Sequence, residues 1–220
     1  MIHLFYKEWL KTRWFVLAGL VVGVASIVYM FIQLNTNIIN AEGASQYIYD
    51  WQRGGRAHYL LFRWIPILVA LLIGVSQYAP EVLQKRIKLT LHLPRPEMSM
   101  LYTMVLYGFI CLSAIMLICM GLFFTADAYF MPQEMHVMAI KALVPYIMAG
   151  YVTYAFVAMI AMEPNWSYGF FYLILAYFIV NDLFLNNPDT WGTMPVLLLI
   201  LVIASLGMLY TANRFKLGER

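Results

Sequence analysis

Six apolar runs, each about twenty residues long, decide what this chain can fold into before any single side chain is considered. They cover Trp14 to Leu34, Tyr59 to Tyr78, Leu101 to Phe124, Ala142 to Met162, Gly169 to Leu185 and Pro195 to Ala212. At a rise of about 1.5 Å per residue, such a run crosses a hydrocarbon core of about 30 Å, the last two runs lying near the short limit. Backbone polar groups in lipid must bond within the protein, which leaves helices or a closed barrel, and the period-two alternation of barrel strands is missing. Of 220 residues only 11% are charged and 63% are hydrophobic, where a soluble domain carries about 25% charge. The expectation is one all-α membrane domain over residues 1–220, with about six transmembrane helices and its excess apolar surface facing lipid. A formal charge of +3 gives no reason to expect a nucleic-acid partner. The first run exceeds the apolar core of a secretory signal and reads as a retained span.

Orientation follows the basic residues, which accumulate on the cytoplasmic side. With the N-terminus inside, Lys7, Lys11, Arg13, Lys85, Arg86, Lys88, Arg95, Arg214, Lys216 and Arg220 fall inside, and Arg53, Arg56, Arg63 and Lys141 fall outside or at the outer boundary. Six spans put both termini in the cytoplasm, in keeping with the basic tail. Trp14, Trp51, Trp64, Trp166 and Trp191 fall near helix ends, as interfacial anchors do. Cys111 and Cys119 share one apolar run and read as small packing residues.

Two loops are long. The outward loop 35–58 carries glycines and aromatic residues. The inward segment 79–99 has more pattern: Pro80 suits the first turn of a helix, and Pro94 and Pro96 end whatever lies between. Glu81, Lys85, Lys88 and His92 share one helical face, while Leu83, Ile87 and Leu91 share another, predicting a short amphipathic helix with its charges toward the cytoplasm. Such a helix can rest on headgroups or dock into a protein. Residues 1–13 have a similar character: His3, Lys7 and Lys11 line one face and Phe5, Tyr6, Trp9 and Leu10 the other, predicting an interfacial elbow helix that bends into the first span. The alternative for residues 79–99 is a surface-lying loop that merely obeys the positive-inside bias, and for residues 1–13 it is plain anchoring.

These features together resemble the permease subunits of ABC transporters of the ABC-2 type. The residues that carry the resemblance are Phe5 to Trp14 and the run Glu81-Val82-Leu83-Gln84-Lys85-Arg86-Ile87-Lys88-Leu89-Thr90-Leu91-His92-Leu93-Pro94-Arg95, with the spans matching in order over nearly the whole chain. Family members commonly carry a small pair after the glutamate, where this chain has Lys85 and Arg86. The resemblance implies a cytoplasmic coupling helix over Glu81 to Leu91, with Glu81, Gln84, Lys85 and Lys88 seated on an ABC ATPase, and a second contact at the turn from Glu163 to Trp166. It further implies a second permease copy, identical or related, two ATPases that bind ATP and Mg²⁺, a bacterial cell membrane, and export of a hydrophobic or amphipathic substrate. No phosphate-binding loop of the Gly-x-x-x-x-Gly-Lys-Ser/Thr form exists in the chain, so ATP hydrolysis is expected in the partner, with no cofactor in this chain.

Three charges map to the outer half of the spans, where an ionisable group needs a partner or water. Asp182 is expected to pair with Arg63 or Lys141, unless the two cations snorkel to headgroups instead. Pro66 and Pro145 are candidate bend points in the second and fourth spans. Met131, Met135, His136 and Met138 form a soft-ligand set of the kind that holds Cu(I), although chance packing among 15 methionines accounts for it as well. No metal site and no catalytic residue is therefore assigned. A non-transporting membrane protein, whether scaffold, immunity subunit or intramembrane enzyme, is the alternative to transport.

Overall fold

The computed structural model describes residues 2–41, 43, 46–49, 58–83, 97–185 and 193–217, and among these it is helical with no strand. The six principal helices are α1 (Ile2–Asn40), α2 (Trp64–Leu83), α3 (Glu97–Phe130), α4 (Gln133–Met162), α5 (Trp166–Leu185) and α6 (Thr193–Leu217), with a short 3-10 turn, His58–Leu61, leading into α2. Five described helices are long and apolar enough to cross a membrane, and α5 contributes a shorter apolar stretch, Trp166–Asn181. A membrane protein built of helices is the outcome.

The helices outrun the apolar stretches that predicted them. α1 is one uninterrupted helix of 39 residues, about 58 Å long. The expected elbow over residues 1–13 therefore continues into the first span with no break in helical structure, and the outward loop begins after Asn40 rather than at Asn35. The physical reason is that Phe5, Tyr6, Trp9 and Leu10 are good enough helix residues to extend the backbone pattern, and no proline or glycine interrupts it before Gly19. α2 likewise runs through Pro80 to Leu83, so Pro80 is interior to a span instead of starting a separate helix. Pro66 sits in the first turn of α2, where a missing N–H costs no helical bond, and is no mid-span bend point. Pro145 is interior to α4.

α4 is the hub, packing against α2, α3, α5 and α6, while α1 packs against α2 and α3. Two-thirds of the most apolar window of α4 is buried within the protein, compared with less than a third in α1 and α6. Close approach explains how α2 and α4 meet: a Cβ added to Gly150 would stand 2.8 Å from Cβ of Pro66 and 3.0 Å from its carbonyl oxygen, and one added to Gly74 would stand 2.7 Å from Val157 Cγ1. Small residues at such crossings let backbones approach where apolar burial gives no net drive, since lipid is as apolar as a protein core. The opposite faces carry the lipid-type surface: Phe170, Phe171, Phe178, Leu199, Val202 and Leu206 are exposed. Trp14, Trp64 and Trp166 are exposed as well; Trp64 and Trp166 open their helices, as anchors should, whereas Trp14 lies inside the uninterrupted α1 and not near its end, and Trp51 and Trp191 are outside the described residues. Both cysteines are free thiols and buried.

Candidate functional site at the ion-paired end

Successive helices run antiparallel, so the start of α1, the end of α2, the start of α3, the end of α4, the start of α5 and the end of α6 share one end of the bundle. The ion pairs that cross between helices here show it. Glu81, in the last turn of α2, accepts from two lysines on α1: its Oε1 lies 3.0 Å from Lys7 Nζ and 3.2 Å from Lys11 Nζ. Lys11 Nζ is also 2.8 Å from Glu8 Oε2. Glu81 is only 1% exposed. Its carboxylate thus points into the chain, where an ionised acid needs opposite charge close by, instead of lying on the cytoplasmic face that its spacing with Lys85 and Lys88 suggested. Two carboxylates and two ammonium groups sum to zero charge, and Lys7, the more exposed of the two lysines, carries its head toward water along an apolar stem.

One turn deeper, polar side chains continue the tie. Thr12 Oγ1 donates to the Glu8 carbonyl at 2.9 Å, which leaves Tyr107 of α3 to donate its hydroxyl to Thr12 Oγ1 at 2.5 Å. In the crossing of α2, α3 and α4, Tyr154 donates to Gln77 Oε1 at 2.8 Å, and Gln77 Nε2 donates to the Met104 carbonyl at 2.7 Å. Tyr78 completes the relay by donating to the Tyr154 hydroxyl across 3.0 Å. Tyr78, Tyr154 and Gln77 are fully buried, so this is a network whose members satisfy one another in a low-dielectric interior. Gly108 makes it possible, because an added Cβ at that position would collide with the Tyr154 ring and hydroxyl.

The same end holds a second clamp. Glu163, the residue that closes α4, accepts from Arg214 Nη1 of α6 at 2.9 Å, and its side chain has no exposed surface. The Arg214 guanidinium lies 5.1 Å from the ring of Tyr168 and 5.9 Å from that of Tyr210, a cation held between two aromatic faces. Glu163 is therefore turned inward as well and binds α4 to α6, whereas the resemblance placed it on a partner-facing turn.

The remaining sequence candidates fall elsewhere. Gln84, Lys85 and Lys88 lie outside the described residues, as does the rest of the segment to Pro96. Arg63 precedes α2 at the far end of the bundle, 5.6 Å from the ring of Trp64, and Lys141 is an exposed residue of α4. Asp182 belongs to the last turns of α5 by its backbone, and its side chain is outside the description, so the pairing expected with Arg63 or Lys141 is as well. His136 is drawn away from the soft-ligand set: its Nδ1 is 2.8 Å from Oδ2 of Asp127, which is fully buried, and Phe124 stands edge-on to the imidazole at 4.4 Å. Met131 and Met135 pack in the core while Met138 is exposed. Among the described residues no three His, Cys, Asp or Glu side chains converge as metal ligands. Sequence reading passed over Asp127, although an acid inside Leu122 to Phe130 needs a partner, and the nearest imidazole stands just across the Met131–Pro132 turn.

What this arrangement can do is mechanical. Salt bridges and hydrogen bonds fasten α1, α2, α3, α4 and α6 to one another at one end, directly before the segment that follows Leu83. No protein-family model, curated protein or solved structure matches this chain.

Proposed function

We propose that this chain is the transmembrane subunit of an ABC-2-type ABC transporter, an exporter of hydrophobic or amphipathic substrate in a bacterial cell membrane. In this reading α5 is a sixth span and both termini face the cytoplasm. Two such subunits pair, and ATP is hydrolysed by separate ATPase subunits seated on the segment after Leu83. The supporting observation is the Glu81 clamp. A force applied to residues 84–96 enters the bundle through the last turn of α2, and there Lys7 and Lys11 bind that turn to α1. Two helices would then be displaced together as one rigid element, the kind of motion that switches packed bundles between two states. Glu81 and Glu163 serve this scheme as internal anchors, leaving Gln84, Lys85 and Lys88 as the residues that would meet the ATPase.

The test is co-purification with an ATPase encoded beside this chain. Charge reversal at both Lys85 and Lys88 is expected to abolish assembly and to lower ATP turnover to that of the isolated ATPase. Unaltered assembly and turnover would remove the coupling role, and with it the transport reading.

A further inference from the structure

Toward the end of the bundle opposite the ion-paired clamp, a groove of about 840 Å³ runs between α1 and α3. Its floor is apolar and fixed. Ile27 and Phe31 are buried there, and the Phe31 ring lies 5.7 Å from that of Phe123 and 5.8 Å from that of Phe130. Its walls are open to whatever surrounds the bundle, since Val28, Ile32, Leu122 and Tyr129 are exposed. No Asp, Glu, Lys, Arg or His occurs among the described residues that line it.

Polarity is graded along its length. The apolar run of α1 starts at Trp14, so Val24 lies about 15 Å deep, at the middle of a hydrocarbon core of about 30 Å, and Asn35 lies just past the far boundary. Thr125 Oγ1 donates to the Leu122 carbonyl at 3.0 Å, which spends its proton within α3. The remaining polar side chains that line the groove, Asn35 and Tyr129, belong to the interfacial end, where an amide and a phenol meet water and headgroups.

Width decides what can lie in it. Val24 to Asn35 rises about 16 Å, the thickness of one leaflet's hydrocarbon, and a volume of about 840 Å³ spread over that length leaves a cross-section of about 50 Å². A helix with its side chains, about 10–12 Å across, needs roughly 80–110 Å², so a helix of a second copy cannot enter. A hydrocarbon tail is slimmer, matches the groove in length and asks for no charge. Left unfilled, the groove would deprive its floor and walls of contacts on one side. We propose that the groove holds a hydrocarbon tail of a membrane lipid from the leaflet remote from the clamp, with its ester end level with Asn35 and Tyr129 and its methyl end against Val24 and Leu122. Because no charge lines the groove, the tail is selected and the headgroup is not. The site is independent of the transport reading, since it needs neither the ATPase nor the clamp.

The full chain in phosphatidylcholine vesicles, doped with phosphatidylcholine carrying a diazirine either near the ester or near the methyl end of one tail, tests it by photolysis and mapping of the labelled residues. The methyl-end probe should mark α1 at Val24 to Val28 and α3 near Leu122, and the ester-end probe Ile32 to Asn35 and Thr125 to Tyr129. Each should exceed the label on the exposed face of α6 at Leu199, Val202 and Leu206 about fivefold, an effect of dispersion contacts without charge. Phosphatidylglycerol with the same tails should label equally well. Val28→Trp and Thr125→Trp, which fill the groove from exposed positions, should each bring its labelling down to that of α6, whereas Leu199→Trp should leave the groove pattern intact. Labelling of the groove no stronger than that of α6 overturns the proposal, as does a reversed order of the two probes or a pattern that survives both groove-filling variants. Protection of the groove from both probes, relieved when the protein is diluted in the vesicles, would assign it to a second copy and overturns the proposal as well. Should one filling variant fail to fold, the other and the wild-type pattern decide the matter.

Discussion

Replacing Gly108 by alanine adds one methyl group in the middle of α3, and the structure says it has nowhere to go. The new Cβ would overlap the hydroxyl and ring of Tyr154. That ring is held by its bonds to Gln77 and Tyr78, all three side chains being buried, so it moves only by giving up those bonds. Overpacking of this kind costs about 1–3 kcal/mol. Breaking the relay leaves at least one buried polar group unsatisfied, for about 1–3 kcal/mol more. Against this, alanine exceeds glycine in a helix by about 1 kcal/mol. The net expectation is a loss of about 1–5 kcal/mol, read as a lowered unfolding midpoint in detergent micelles. Two controls isolate the cause. Gly121→Ala lies on the same helix with no atom within 4 Å of its Cβ and should be neutral or stabilising. In a Tyr154→Ala background, Gly108→Ala should lose its penalty. A Gly108→Ala protein as stable as the wild type would refute the placement of Tyr154 over α3, and with it the relay.

Two further outcomes are expected from the clamps. Lys11→Met removes the cation shared by Glu8 and Glu81, leaving Lys7 to serve a buried carboxylate pair; stability should fall by about 3–5 kcal/mol, and adding Glu81→Gln should return part of it, whereas a double variant worse than Lys11→Met would contradict the pairing. Arg214→Ala strands the Glu163 carboxylate and should cost about 2–3 kcal/mol, at or below the lower end for buried pairs because the arginine is partly exposed; Arg214→Lys should fall between, keeping charge while weakening contact with Tyr168 and Tyr210, and thermal unfolding that ranks the three otherwise would speak against the sandwich.

The apolar runs located all six helices because length and composition alone determine where a chain can lie in lipid. They marked the hydrocarbon, however, and not the helix: residues 2–13 of α1 and 97–100 of α3 are too polar to register as span and are helical all the same. The inner clamp was illegible for a different reason. Glu81 has a charged face of its own at Lys85, Lys88 and His92, and that local pattern outweighed two lysines seventy residues upstream, which sequence spacing cannot bring to it. The Tyr154 relay gave no signal, since Gln77, Tyr78, Gly108 and Tyr154 are individually unremarkable within apolar segments. Asp127 and His136 stand only nine positions apart, and here the rule that a charge at membrane depth needs a partner was sufficient had it been applied to that acid.

The enclosure of α4 bears on how the chain is made. Its polar side chains Thr153, Tyr146, Tyr154 and His136 are all buried, and they are so only because neighbouring helices surround them. When α4 first leaves the insertion machinery, α1 to α3 can shelter one flank, but α5 and α6 have yet to be synthesised, and the flank they will cover faces lipid. The contact between Glu163 and Arg214, which fastens α6 to α4, can therefore form only after α6 has been synthesised, so the shielding of that flank trails the insertion of α4 itself.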